Sequence, residues 1–341
     1  MKSAHLVIPA LFLPEDIAAE VCRGLCLPAL EKMLGRGHSE VLEPVPLENL
    51  LCGLFGVPCQ PDAPIAPVSA AFDGLGAGCW LRADPVHLHL QRDQLLLAGV
   101  QAGSGEAAAF CASLNMHFAG QGMEFFAPHP QRWYVRLDKL PRIGARPLSE
   151  IVGGDVRRAL PTGEDAAHWH QVFNEIQMLL FAHPLNEARG ESPINSVWFW
   201  GGGCGENTKP QKNYDIVSSD DVLAEMFAKA AGVPFSPWPK QWRGSLSQRG
   251  RAFSSEGRQL LVWTGLRSAL QRGDLAGWRT ALQDFESGYA QPLWQALRSG
   301  KIAQLQLDIL GADGIRRVLL TRGDTWAFWR RARPLAGYAM V

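Results

Sequence analysis

Apolar residues fall into two patterns along this chain. Short, almost unbroken runs, "HLVIPALF" from His5 and "RQLLVWTG" from Arg258, have the density of strands covered on both faces, as in a parallel sheet. Between and after them the spacing becomes helical. "PEDIAAEVCRGLCLPALEKMLGRG" carries a helix pattern broken at Pro28 and closed by Gly35 and Gly37. Trp169, Val172, Phe173, Ile176, Leu179 and Leu180 form one stripe at i, i+3, i+4, i+7 over about 165–183. "NYDIVSSDDVLAEMFAKAAG" reads as strand, Ser/Asp cap and helix ending at Gly232. The middle of the chain alternates instead: "WLRADPVHLHLQRDQLLLAG" and "MEFFAPHPQRWYVRL" have a period of two, with a helix at "GEAAAFCASLNMHFAG" between them. A Pro/Ala/Gly-rich stretch from about 60 to 80 marks a domain edge. The chain closes with "AQLQLDIL" and "RRVLLT" around a "GADG" turn. Strands and helices on either side of a β-rich middle predict a three-layer α/β core with a mainly parallel sheet, over 1–70 and 161–341, and an inserted α+β domain over 71–160.

Composition narrows the function classes. The 33 basic residues balance the 33 acidic ones, so no global charge favours nucleic acid or an anionic membrane, and neither is expected as a partner. The N-terminus lacks the long apolar region of a signal peptide, and no apolar run reaches the ~20 residues of a membrane span, so a cytoplasmic protein is expected. Seven scattered cysteines without a C-x-x-C pair predict reduced, mostly buried thiols.

Candidate chemistry concentrates in "HPLNEARGESPINSVWFWGGG", His183 to Gly203. Ligands of open α/β sheets bind beyond the carboxyl ends of the strands, and "SVWFWGGG" reads as such an end. Arg189 could clamp a phosphate or carboxylate, Asn186 and Asn195 could add neutral hydrogen bonds, and the bare backbone of Gly201, Gly202 and Gly203 could approach an anion closely. The plainer alternative is a strand ending in a turn, with both asparagines capping local backbone. For a metal, His87 and His89 share a face of one strand near Asp84, whereas His168 and His170 sit at the start of a helix, where i, i+2 residues do not face each other. There is no P-loop and no G-x-S-x-G elbow. Arginines 316, 317, 322, 330, 331 and 333, interleaved with Trp326, Phe328 and Trp329, make the most basic stretch, read as a solvated surface.

The His183–Gly203 segment resembles the H-P-x-N-x-x-R-x-x-G-x-x-x-N segment of archaeal-type, cofactor-independent phosphoglycerate mutases. "LVIPALFLPEDIAAEVCRGLCLPALEKMLGRG" resembles that family's opening strand, loop and helix, and the wording is closer still to the related bacterial RpfE-type regulatory proteins. The resemblance implies an alkaline phosphatase-like core with an inserted cap. It also implies a two-metal site with about six carboxylate and imidazole ligands and a Ser or Thr nucleophile. The corresponding positions depart from that pattern. The opening strand reads Pro9-Ala10-Leu11 where a metal-binding Asp is expected, and Leu47-Glu48 stand near the nucleophile position. Gly273-Asp274 lack the preceding acid and histidine, Asp324 alone remains of a late Asp-His pair, and no histidine follows His183. Trp200 replaces an arginine that contacts substrate. The expectation is therefore a degenerate phosphoglycerate mutase-like protein without cofactor, binding a phosphorylated small molecule or a protein partner. The alternative is an active mutase or phosphatase using Mn or Zn on relocated ligands such as His87, His89 or Asp324.

Overall fold

In the computed structural model, which describes residues 2–59, 62–205, 208–239, 241–242 and 257–338, the chain forms two compact units. Unit 1 comprises Met1–Leu47 with Lys212–Val341, and unit 2 is Glu48–Gln211. Unit 2 therefore extends beyond 71–160 at both ends, because the helix Ile65–Phe72 before it and the helix and strand after it pack with it.

In unit 1 the N-terminal apolar run is β1 (Lys2–Pro9), buried over its last six residues. It is the central strand of seven. β2 (His38–Leu42), β12 (Ile315–Thr321) and β11 (Gln304–Leu310) lie to one side. β10 (Gly257–Val262), β8 (Ile216–Ser219) and β9 (Phe235–Pro237) lie to the other. The strands from β11 through β1, β10 and β8 to β9 are parallel, and at one edge β12 runs antiparallel to both of its neighbours, β11 and β2. One face of the sheet buries Leu6, Ile8, Leu261, Leu307 and Ile309 against Met33, Trp278, Leu282, Leu293 and Leu297 of the helices Pro28–Arg36, Leu275–Phe285 and Gln291–Arg298. Covering of this kind explains the unbroken apolar runs.

Local signals hold where they have a mechanism. Asp221 accepts from Leu223 N at 2.7 Å and starts the helix Val222–Ala230, and Gly232 closes it with φ 65°. Pro28 takes the first turn of its helix, where its missing N–H costs nothing. The next two donors of that turn, Ala29 N and Leu30 N, bond to the buried Glu286 carboxylate at 2.8 and 3.0 Å. Nothing in sequence spacing reveals this cap, since Glu286 stands 257 residues from Ala29.

Unit 2 is built on an antiparallel sheet of β3 (Cys79–Gln91), β4 (Gln94–Gly99), β5 (Met123–His129), β6 (Arg132–Leu137) and β7 (Ser196–Cys204). The helix Ala166–Phe181 lays Trp169, Val172, Phe173, Ile176 and Leu180 inward and packs against β7. Cys79 and Cys204 are direct cross-strand partners, 4.1 Å apart at Cα, and form a disulfide. This overturns the reading of uniformly reduced thiols: 125 residues separate the two cysteines, and only the β3–β7 register makes them neighbours. Among the described residues no helix is long and apolar enough to cross a membrane.

Candidate functional site

The His183–Gly203 segment does not end a parallel strand. β7 runs antiparallel to β3 within unit 2, so the rule that places ligands beyond parallel strand ends does not apply to it. Its polar residues spend their hydrogen bonds on the chain. Asn186 Nδ2 donates to Leu180 O at 2.6 Å and Ile194 O at 3.0 Å, and its Oδ1 accepts from Ile194 N at 2.9 Å. Asn195 accepts from Leu88 N at 2.7 Å and donates to Leu88 O at 2.8 Å, imitating a strand partner. Arg189 pairs with Glu106 through Nη1 at 2.9 and 3.0 Å and donates to the carbonyls of Ser192 and Gln101. The Arg189 and Gly103 N–H hydrogen bonds hold the Glu106 carboxyl below its usual range, the backbone contribution being the larger.

The glycines have an equally internal reason. Opposite β3 the register passes from Trp80↔Gly203 to Arg82↔Trp200, leaving one extra residue on β7, a β-bulge in which Gly201 takes φ 66°. A Cβ on Gly202 would lie 2.6 Å from Leu81 Cδ2, and one on Gly203 would lie 2.7 Å from Pro64 Cβ. The run thus lets the strand bulge and lets Leu81 and the start of the helix Ile65–Phe72 come close. Trp200 is buried, donates to Asp84 at 2.8 Å, and stacks under Arg82, whose guanidinium carbon is 5.3 Å from the ring centroid. Asn195→Ala is expected to lower the stability of unit 2 by about 1–3 kcal/mol, by orphaning both backbone groups of Leu88. Urea unfolding would detect this, whereas a change in anion binding with unchanged stability would restore the ligand role.

The other candidates separate. Asp324 accepts from Thr321 N and Oγ1 at 2.9 and 2.8 Å and faces Arg330, closing a turn after β12. His170 Nε2 donates to Pro161 O at 2.8 Å, while His168 lines an open groove with Trp169. His87 and His89 do stand together, their rings stacked 5.3 Å apart on β3.

The strand ends that suit a ligand are in unit 1. β1 runs out into Ala10, held at φ 63°, and β11 into Gly311. Between them Phe12, Leu13, Pro14, Glu15, Gly311, Ala312 and Asp313 line a cavity of about 430 Å³. Behind Phe12 lies Arg316, its guanidinium carbon 5.6 Å from the ring and its Nε buried without a hydrogen-bond partner. Burial lowers its pKa. No carboxylate among the described residues forms a salt bridge with it.

At the neighbouring ends aromatic groups take the space. Trp238 follows β9 and Trp263 follows β10, joined by Phe285 and Tyr289 in stacked contacts of 4.2 Å (Trp238–Tyr289) and 4.3 Å (Trp263–Phe285). Asp220, after β8, is raised by burial and accepts from Thr264 N at 2.8 Å. A two-metal centre does not fit this donor set. Of the nine histidines only His5 and His38 fall in unit 1, His38 is exposed, and His5 is engaged within the sheet. Among the described residues no three His, Cys, Asp or Glu side chains gather as a metal would require.

His5 belongs to the main buried polar network. Its Nε2 donates to Asp308 on β11 at 2.9 Å, and Tyr214 O–H donates to its Nδ1 at 2.9 Å. Arg317 of β12 grips both oxygens of Asp308 at 2.8 Å. Burial would raise the Asp308 pKa, but the Arg317 and His5 hydrogen bonds override it and hold the carboxyl far below its usual range. Burial pushes the Tyr214 phenol up to about 12.

No family model matches the chain. It is 24% identical over 198 residues to the 2,3-bisphosphoglycerate-independent phosphoglycerate mutase of Methanosarcina mazei, covering 52% of this chain and 48% of the relative. It is 28% identical over 132 residues to that of Methanosarcina barkeri, covering 35% and 33%. By sequence the chain is similar to these mutases. It spans less than half the length of each of the two. The fold is shared with the PH0037 protein of Pyrococcus horikoshii, at a TM-score of 0.56 and 12% identity, over 98% of this chain and 91% of that one.

Proposed function

We propose that this chain is a phosphoglycerate mutase-like binding protein that has lost the two-metal centre and nucleophile, on an alkaline phosphatase-like core with a cap, and that it acts as a regulator of the RpfE type. The reading rests above all on the donor set at the parallel strand ends. Two histidines, one exposed and one committed to Asp308, cannot supply the imidazoles of such a centre, and Trp238, Trp263, Phe285 and Tyr289 occupy the neighbouring ground. Near the position where the resemblance implies a nucleophile, Glu48 is buried and accepts from Ser149 Oγ at 2.7 Å.

A small phosphorylated molecule would bind in the cavity between β1 and β11, which has the size of a small-molecule site. Arg316 does not line the cavity but packs against the Phe12 ring that does, and a turn of that ring would let the ligand reach Arg316. Its buried, unpaired Nε gains a partner only when an acceptor arrives, and Phe12 supplies an apolar wall. Glu15 and Asp313, at the rim, would select against ligands that are anionic throughout.

Two measurements test this. Incubation with 3-phosphoglycerate and Mn²⁺ or Zn²⁺, followed by phosphorus NMR, is expected to give no 2-phosphoglycerate; turnover would refute the loss of catalysis. Calorimetric titration with 3-phosphoglycerate and inorganic phosphate is expected to show binding that weakens about tenfold or more in Arg316→Gln, the loss of one charge-assisted hydrogen-bonding partner. Equal binding by the variant would remove Arg316 from the site.

A further inference from the structure

We infer that the turn from Trp326 to Arg330, with the arginines around it, is a docking surface for an anionic phospholipid bilayer. The turn inverts the usual order of burial. Its small residues Thr325 and Ala327 are buried, while Trp326, Phe328 and Trp329 stand 55%, 78% and 69% exposed. A single exposed ring needs no explanation, but three within four residues mark an interaction site.

Hydrogen bonds hold the rings outward. Thr325 Oγ1 donates to Arg322 O at 2.7 Å, and Arg36 Nη1 donates to Thr325 O at 2.8 Å. Phe328 N and Arg330 N bond back to Trp326 O and Ala327 O at 2.8 and 3.0 Å. Further on, Leu335 N donates to Glu31 Oε1 at 3.1 Å, which fastens the segment to the helix Pro28–Arg36. The rings would have to break this frame to fold inward.

The ground around the rings is cationic. The Arg298 guanidinium carbon lies 4.8 Å from the Trp326 ring centroid, and Arg322 Nε donates to Arg298 O at 3.2 Å. Arg331 and Arg333 follow the turn and are exposed. The single acid of 322–333, Asp324, pairs with Arg330. Among the described residues no carboxylate forms a salt bridge with Arg298, Arg322, Arg331 or Arg333. The chain is neutral as a whole, so this charge acts locally, within the ~8–10 Å over which salt leaves it unscreened.

Rings flanked by arginine suit a bilayer surface, where Trp and Phe enter at headgroup depth and the cations meet lipid phosphate. Such contact is peripheral and needs no spanning helix. Two other partners fit less well. Nucleic acid bases stack on open ring faces, but Phe328 and Trp329 meet edge to face at 79° and Arg298 covers Trp326. For a protein partner, the three rings expose roughly 400 Å² of apolar surface, about half of what one side of a standard interface buries. The surface is independent of the cavity between β1 and β11.

The test is sedimentation of the full chain with vesicles. Binding is expected to phosphatidylcholine vesicles containing about one-quarter phosphatidylglycerol. It should weaken at least about tenfold on pure phosphatidylcholine, and again in about 0.5 M salt. Phe328→Ser with Trp329→Ser, and separately Arg331→Gln with Arg333→Gln, should each weaken it about tenfold or more. These side chains are exposed, so thermal unfolding should stay unchanged. Should a variant not fold, the unaltered protein decides. Trp326 and Trp329 are the exposed tryptophans among the described residues, and vesicle lipids brominated in the acyl chain are expected to quench them. Absence of binding, equal binding to pure phosphatidylcholine, unchanged binding by either variant, or binding without quenching overturns the surface. Tighter binding of a single-stranded oligothymidylate, lost in the same variants, would assign the turn to nucleic acid and overturn the bilayer.

Discussion

Replacing Asp308 with asparagine is expected to destabilise the protein by about 3–5 kcal/mol, the cost of breaking a buried ion pair from one side. The Asp308 side chain is fully buried between Arg317 and His5. An amide there turns two accepting oxygens into one and places an N–H₂ toward the guanidinium. Arg317, 29% exposed to solvent, is left with only the more exposed Glu40 at 3.8 Å to offset its charge. Urea unfolding at pH 7, followed by tryptophan fluorescence, measures the loss. A change below about 1 kcal/mol, the size of a surface pair, would show that the network is solvated.

The pH dependence follows from the depressed carboxyl. The folded-state pKa of Asp308 lies below the unfolded value of about 3.9, so its contribution is complete above that pH and is lost only as the pH falls through the folded value. The gap in stability between wild type and Asp308→Asn should therefore stay flat from neutrality to about pH 5 and narrow only below about pH 4.

Reducing the Cys79–Cys204 disulfide is expected to cost unit 2 about 2–5 kcal/mol, because the bond closes a long loop in the unfolded chain. The cysteines are 125 residues apart. The disulfide ties one end of the β3–β7 ladder, and the Asn195–Leu88 bonds tie the other. A reductant, or Cys79→Ala with Cys204→Ala, should lower the unfolding transition of unit 2 and leave that of unit 1 in place. Mass spectrometry of the non-reduced protein checks the pairing directly, and free thiols at both positions would remove the prediction's basis. Because the chain has two units, their transitions need separate probes rather than one two-state fit.

Sequence alone determined the elements whose pattern has a local cause. The apolar density of β1 and β10 announced doubly covered strands, the stripe from Trp169 to Leu180 announced the face of one helix, and Asp221 and Gly232 marked the two ends of another. It also fixes that Pro9-Ala10-Leu11 close the first apolar run without an acid and that no histidine follows His183, since residue identity needs no coordinates. Tertiary structure decided what the polar residues are for. Asn186, Arg189 and Asn195 have the chemistry of ligand contacts and of internal clasps alike, and the difference lies in whether Leu88, Ile194 and Glu106 come within hydrogen-bond reach. The triple glycine could admit a ligand's oxygens or a neighbour's carbons, and Leu81 and Pro64 stand there. Cys79 met Cys204, Glu286 met Ala29 and His5 met Asp308 through strand order and register. Such contacts join residues hundreds of positions apart, and no local periodicity encodes them: spacing reports which face a side chain takes, and only the assembled sheets report what it meets there.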